Sequence, residues 1–363
     1  MNDVAWMGRA LALAEGGRYT AAPNPLVGCV LVHDGAVVGE GYHRRAGEGH
    51  AEVNALLEAG PRAGGVTAYV TLEPCAHHGR TPPCAEALIG AGVARVVAAM
   101  PDPNPLVAGK GLALLRAAGI DVECGLLADE AAALNPGFIK RMATGRPYVR
   151  VKMAQSLDGR SALADGESRW ITGPAARADV QLWRARSQAI VTGIGTVLAD
   201  DPQLTVRLPQ VDCQPLRVVL DSGLSLPPTA RLLREPGGTL VVTNSADTPQ
   251  AVALTAAGAQ IVTLPAGADS RIDLGALLDE LARRQCNEVL VEAGPRLAGA
   301  FLAAGLVDEL IVYIAPHLLG HDARPAFELP PVTRMDARLD LEPLDVLSFG
   351  PDLRLRLRPP ARA

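Results

Sequence analysis

Val4, Met7, Leu11 and Ala14 recur at helical spacing and predict an amphipathic helix at the start of the chain. Apolar runs follow at 27–32, 66–72 and 93–99, each bounded by Gly or Pro, and these predict buried strands. Between them, helices are expected around 51–59, 84–91 and 109–118. Strands that alternate with helices imply a sheet covered on both faces. The pattern runs to about Met142, where Ala-Thr-Gly-Arg-Pro at 143–147 interrupts it. A second series begins at Tyr148. Its expected strands are 148–154, 189–192, 216–221, 239–243, 259–264, 288–291 and 309–314. Its expected helices are 174–186, 274–284 and 297–304. Pro174 suits a first helical turn, and Ala176, Val180 and Trp183 share one face. Residues 208–214 read as a loop. Two polar–apolar alternations, 337–347 and 352–357, suit a closing antiparallel hairpin. The expected architecture is α/β, in two three-layer domains spanning 1–145 and 146–363.

The length of 363 residues agrees with two domains at ~100–200 residues each. No period of twenty to fifty residues repeats, which excludes a solenoid. Six cysteines are too few for a disulfide scaffold, and only Cys75 and Cys84 are near neighbours, which points to metal. A net charge of −5 without a basic stripe argues against nucleic acid as a partner. Residues 1–17 lack a basic region and carry Asp3 and Glu15, so they do not read as a signal peptide. The uncharged stretch 248–268 is interrupted by prolines and glycine. It reads as helix–turn–strand rather than a membrane span. No membrane partner is expected, and the expected location is the cytoplasm.

Candidate chemistry in the first half lies in His50-Ala51-Glu52 and in the run from Pro74 to Cys84. One imidazole and two thiolates are donors that zinc prefers, and three protein ligands leave a fourth position for water. Such a site makes a nucleophile from water near neutral pH, and a carboxylate must then move the proton. Glu52 is the candidate. His50 and Glu52 do not share a helix face. They still converge if both stand in a first helical turn with the metal beyond its N-terminus. Cys84, after Pro82-Pro83, also reads as a helix start, where thiolate is favoured. A closed structural site, with His77 or His78 as fourth ligand, stays open on this reading, although it leaves Glu52 without a role. Pro-Asn-Pro at 23–25 is a strong turn signal, so Asn24 has a conformational reading of its own.

These segments resemble the zinc-dependent cytidine deaminase superfamily, whose signature is H-x-E followed by P-C-x-x-C. Here eight residues separate the cysteines. That departure, with P-N-P-L-V-G at 23–28, E-G-Y-H at 40–43 and T-L-E-P-C-A-H-H-G-R-T-P-P-C, resembles the deaminase domain of the RibD family of bifunctional riboflavin-biosynthesis enzymes. The resemblance implies one zinc per chain on His50, Cys75 and Cys84, with Glu52 as proton shuttle. It also places Asn24 and Arg80 near the substrate.

The second half has no G-x-G-x-x-G, so a standard dinucleotide fold lacks support. Val289 to Ala300 instead forms a glycine-bearing strand-to-helix turn, where backbone N–H groups and Arg296 could meet a phosphate. Lys152, S-L-D-G-R at 156–160, S-R-W-I-T at 168–172, Arg184, and A-D-D-P-Q-L-T-V-R at 199–207 each have an ordinary structural reading alone. Together they resemble the RibD reductase domain, which is similar to dihydrofolate reductase in fold. That resemblance implies NADPH contacts from Ala154, Trp170, Thr196, Asp200, Ser222, Gly294, Pro295, Arg296, Leu297, Ala298, Gly299 and Ala300. It implies substrate contacts from Ser168, Arg184, Leu204, Arg207 and Glu292. Arg184 and Arg207 suit a ribose phosphate, since guanidinium pairs bidentately with its oxygens. Lys152 is a candidate for proton delivery, provided its environment lowers its pKa. The implied substrate is a small pyrimidine ribosyl phosphate, 2,5-diamino-6-ribosylamino-4(3H)-pyrimidinone 5′-phosphate, deaminated and then reduced. A homo-oligomer is also implied.

Overall fold

The computed structural model describes residues 2–76, 83–105, 107–245, 248–267 and 270–360. The chain divides into two compact units, Met1–Arg146 and Pro147–Ala363.

In the first unit, helix α1 (Asp3–Ala14) is capped by the Asn2 side chain, which accepts from the Ala5 N–H. Strands β1 (Gly28–His33), β2 (Ala36–Tyr42), β3 (Thr67–Val70), β4 (Arg95–Ala98) and β5 (Asp121–Cys124) form a sheet of order β2-β1-β3-β4-β5. β1 is antiparallel to both neighbours, and β3, β4 and β5 run parallel. α2 (Ala51–Ala59), α3 (Cys84–Gly90) and α4 (Lys110–Ala117) pack on one face, around Leu31, Ala55, Leu88 and Leu115. Trp6, Met7 and Ala10 of α1 and Ala131 of α5 (Ala128–Leu134) cover the other. α6 (Pro136–Thr144) ends the unit.

Hydrophobic periodicity alone does not reveal β2. Its signal is Asp34-Gly35, two residues with positive φ (47° and 74°) that join β1 to β2 as a tight hairpin. β2 matters to the site because α2 lies directly on it. A Cβ added at Gly39 or Gly41 would stand 2.3 Å from the Ala55 or Ala51 carbonyl oxygen. Only glycine permits that approach.

The second unit is built on a nine-stranded sheet. Its first elements are β6 (Tyr148–Ser156), β7 (Arg160–Ala162), α7 (Pro174–Arg186), β8 (Ala189–Gly193), α8 (Ile194–Asp200) and β9 (Leu216–Leu220). β10 (Thr239–Thr243), α9 (Pro249–Ala256), β11 (Ala259–Thr263), α10 (Leu274–Arg283), β12 (Glu288–Glu292) and α11 (Pro295–Ala303) follow. β13 (Glu309–Ala315), β14 (Arg324–Pro325), β15 (Glu342–Phe349) and β16 (Asp352–Arg358) complete it. The order is β11-β10-β9-β8-β12-β6-β13-β16-β15, with β7 and β14 paired separately. The first seven strands run parallel, and the β15–β16 hairpin joins antiparallel.

Alternate residues face opposite ways. Val151, Val191 and Val291 meet α10 and α11, while Ile190, Leu290 and Ile311 meet α7. Among the described residues, no helix is long and apolar enough to cross a membrane. The stretch read as helix–turn–strand contains α9 and β11.

The closing alternation expected over 337–347 starts later, at Glu342. That residue pairs with Arg358 at the end of β16, so 337–341 have no partner strand to alternate against. The C-terminal ends of the parallel strands carry the candidate residues of this unit. The opposite end holds a buried ion network. Arg150, 1% exposed, pairs with Glu288 and with Glu309 (3.0 Å), and Arg186 pairs with Glu288 (2.7 Å).

Candidate active sites

In the first unit, two helix N-termini and one strand end meet. His50 is the N-cap of α2, in extended conformation with φ −71° and ψ 168°. Its position is fixed from behind. The Gly49 carbonyl accepts from Asn54 Nδ2 and His43 Nδ1, both at 3.2 Å. Cys84 is the first residue of α3, and Cys75 lies on the arm after β3. The Ala85 N–H donates to the Cys75 carbonyl (3.1 Å) and the Cys84 N–H to Cys75 Sγ (3.3 Å), tying arm to helix.

The donor atoms of His50, Cys75 and Cys84 all lie within 4.8 Å of one another. His50 Nδ1 is 3.2 Å from Cys84 Sγ and 3.6 Å from Cys75 Sγ. Tetrahedral zinc, with bonds of ~2.0–2.3 Å, sets ligand atoms roughly 3.3–3.8 Å apart. The donor set and its spacing therefore fit zinc.

The electrostatics agree. Hydrogen bonding to Cys84 and His50 draws the Cys75 thiol down to about 4, against its burial. The Cys75 thiolate and burial push Cys84 far the other way. Two adjacent thiols cannot both ionise without a cation between them, and a divalent metal supplies it. Glu52, 3% exposed, is raised to about 7 by burial. That is where a carboxyl can both accept and return a proton at neutral pH.

Asn24 reaches the same neighbourhood through His43, with its Nδ2 3.0 Å from His43 Nε2. His43 stands edge-on to His50, ring centroids 5.3 Å apart. Sequence reasoning assigned His43 no role, although it closes the quoted E-G-Y-H run. Arg80, His77 and His78 lie outside the described residues.

In the second unit, Lys152 on β6 and Glu292 on β12 are register partners, on the face covered by α7. Arg184 on α7 grips Glu292 with Nε to Oε1 (2.5 Å) and Nη2 to Oε2 (2.9 Å). Its Nη1 donates to the Thr205 carbonyl at 3.1 Å. Burial alone would raise Glu292, but Arg184, Lys152 and Arg207 hold it below the usual carboxylate value. Lys152 is lowered by burial and by Arg184, against the pull of Glu292. Arg184 and Arg207 thus differ. Three N–H groups of Arg184 are already engaged. The exposed Arg207 guanidinium has no hydrogen-bond or ion-pair partner among the described residues, and its backbone N–H donates to Gln181.

Other expected residues lie around the C-terminal strand ends. Thr196 and Asp200 are on α8, and Arg169 donates to the Asp200 carbonyl. Trp170 is 69% exposed, with the Arg177 guanidinium 4.3 Å from its ring centroid. Ala154 lies on β6, Ser222 is exposed just after β9, and Ser168 is half-buried. Leu204 has φ +51° and turns its side chain into the cluster with Trp183 and Ile190.

From Gly294 to Ala300 the placements diverge. Gly294 caps α11 and borders open space, followed by Pro295 and the exposed Arg296. Leu297 packs against the core, Ala298 is inside it, and Gly299 abuts the Glu328 carbonyl. Gly193 caps α8 at the end of the adjoining strand β8. Two helix N-termini therefore begin at the C-terminal ends of neighbouring central strands, where a pyrophosphate is favoured.

Residues 1–100 match the family described as the cytidine and deoxycytidylate deaminase zinc-binding region, and residues 147–355 match the RibD C-terminal domain. The chain is 53% identical to riboflavin biosynthesis protein RibD of Escherichia coli K12, over 98% of this chain and 99% of that one. It is 48% identical to the Haemophilus influenzae protein of the same name, over 99% and 98%. Among solved structures, Acinetobacter baumannii RibD superposes with a TM-score of 0.92 at 51% identity, over 99% of both chains. The Thermotoga maritima diaminohydroxyphosphoribosylaminopyrimidine deaminase/5-amino-6-(5-phosphoribosylamino)uracil reductase gives 0.87 at 32%, again over 99% of both. Conserved architecture and sequence over essentially its whole length show that the chain belongs to the RibD family.

Proposed function

We propose that the two units act in succession on one pyrimidine ribosyl phosphate, the first from His50, Cys75, Cys84 and Glu52, the second from Lys152, Arg184, Arg207 and Glu292. As a member of the RibD family, the chain is a bifunctional enzyme of riboflavin biosynthesis, a zinc-dependent deaminase and an NADPH-dependent reductase. The observation that carries the residue assignment is the convergence of one imidazole and two thiols beside a buried carboxyl raised to about 7.

In the deaminase unit, His50, Cys75 and Cys84 would hold zinc, which lowers the pKa of a coordinated water toward neutrality. Glu52 takes the water's proton and passes it to the pyrimidine, so that the 2-amino group of 2,5-diamino-6-ribosylamino-4(3H)-pyrimidinone 5′-phosphate departs as ammonia. Asn24, held by His43, presents an amide to the pyrimidine.

In the reductase unit, Gly294, the first turn of α11, Trp170, Thr196, Asp200, Ala154 and Ser222 would hold NADPH, the hydride source. Arg207 receives the phosphate. Arg184 keeps Glu292 ionised and oriented, and Lys152 delivers the proton that completes conversion of the ribosylamino to the ribitylamino side chain.

Mass spectrometry of the zinc-loaded protein with the diaminopyrimidine substrate tests this. Exchange of amine for oxygen is expected without NADPH, and gain of two hydrogens only with it. No exchange by protein shown to hold zinc would overturn the deaminase assignment.

A further inference from the structure

We propose that Glu73 is a positioning residue for the metal site, its buried carboxylate clamping Asp102 and the N-terminus of α4 against the peptide that carries Cys75. The proposal rests on the zinc reading above and adds a residue to it. Glu73 is 3% exposed and lies two residues before Cys75. Four backbone N–H groups converge on its two oxygens. Oε2 accepts from Asp102 at 3.1 Å and Gly109 at 2.9 Å, and Oε1 from Gly111 at 2.9 Å and Leu112 at 3.3 Å. Gly109 is the N-cap of α4, and Gly111 and Leu112 lie in its first turn. The carboxylate therefore meets both the unpaired donors and the positive end of that helix.

A second contact makes this a clamp on the ligand arm. A Cβ added at Gly111 would stand 1.8 Å from the Pro74 carbonyl oxygen, so the helix backbone rests on the peptide joining Pro74 to Cys75. From the other side, the Glu73 N–H donates to the Met100 carbonyl at 3.0 Å. With Glu73 and Pro74 held in this way, Cys75 departs from a fixed peptide plane with few soft dihedrals left before its sulfur. A neutral amide cannot reproduce this. One glutamine oxygen cannot satisfy four donors, and its NH2 would confront two of them.

The test uses the full-length protein loaded with cobalt(II) in place of zinc, because thiolate–cobalt absorption reports ligand geometry. In Glu73→Gln, a changed absorption spectrum and about 10-fold faster metal loss to a chelator are expected. Reduction of the second unit's own substrate should be unchanged, and it serves as the folding control. Gly109→Ala strains one donor through its φ of +78° without touching Glu73, and open space surrounds it. It should shift both readouts in the same direction by less, and it decides the matter if Glu73→Gln does not fold. Wild-type spectrum and release rate in the variants, even with a lowered Tm, would overturn the positioning role. A wild-type protein that binds neither cobalt nor zinc overturns the zinc reading itself.

Discussion

The two sites are assembled in opposite ways. The proposed metal ligands come from 35 consecutive positions, 50–84, and reach one point through the N-termini of α2 and α3 and the arm after β3. The proposed reductase residues come from β6, α7, α8, β12, α11 and the loop that carries Arg207, spread over more than 140 positions, and only the sheet order β8-β12-β6 brings them together. A metal needs three atoms in a small sphere, which one short stretch can supply. A cofactor and a sugar phosphate need an extended surface, which only the meeting of many elements provides. The charge logic differs too. In the first site burial raises a carboxyl against the opposing pull of His50. In the second a buried carboxylate is kept ionised by Arg184 and Lys152.

The largest expected effect separates the sites by one atom. Glu52→Gln should reduce deamination about 10³-fold with zinc retained and reduction untouched. Mass spectrometry for zinc and product measures both, and undiminished deamination would remove Glu52 from the mechanism.

The next effect lies in the second site. Glu292→Gln should lower reduction about 100-fold, because Arg184 loses its bidentate partner and Lys152 its counter-charge. Glu292 is the charge that holds Lys152 up, so the basic limb of the reduction pH profile should move to lower pH. A limb that stays in place would exclude Lys152 as proton donor.

Arg207→Ala should raise the KM for reduction roughly tenfold, with deamination and kcat little changed. Equal loss of both activities would argue against separate sites.

A further effect is on stability rather than activity. In the metal-free protein, Glu52 titrates near 7 when folded and near 4.5 when unfolded. Its burial therefore costs nothing below about 4.5, and the cost grows with pH until about 7. Glu52→Gln should stabilise the metal-free protein by up to about 3 kcal/mol at pH 8 and by little at pH 4. Denaturation at the two pH values checks the sign, and equal ΔΔG at both would refute it.

Much of the first site is written locally. His50 and Cys84 are expected at helix starts, and they stand there as N-cap and first residue. What supports them is harder to read. Glu73 looks like part of a strand end until Asp102, Gly109, Gly111 and Leu112 are seen to converge on it. In the second unit the difficulty is greater. Nothing in the spacing of Arg184 and Glu292, 108 positions apart, announces that one holds the other. The burial of Arg150 between Glu288 and Glu309 is equally silent, since an arginine opening a strand ordinarily faces solvent.

The type of the strongly patterned elements, the α/β alternation and the zinc-preferring donor set follow from the sequence alone, because periodicity, turn chemistry and ligand identity are properties of neighbouring residues. Strand order, the side of the sheet each residue faces, and the pairing of Arg184 with Glu292 were decided only by tertiary structure. Those contacts join residues remote in the chain, and their energies arise from burial and register that no local pattern encodes.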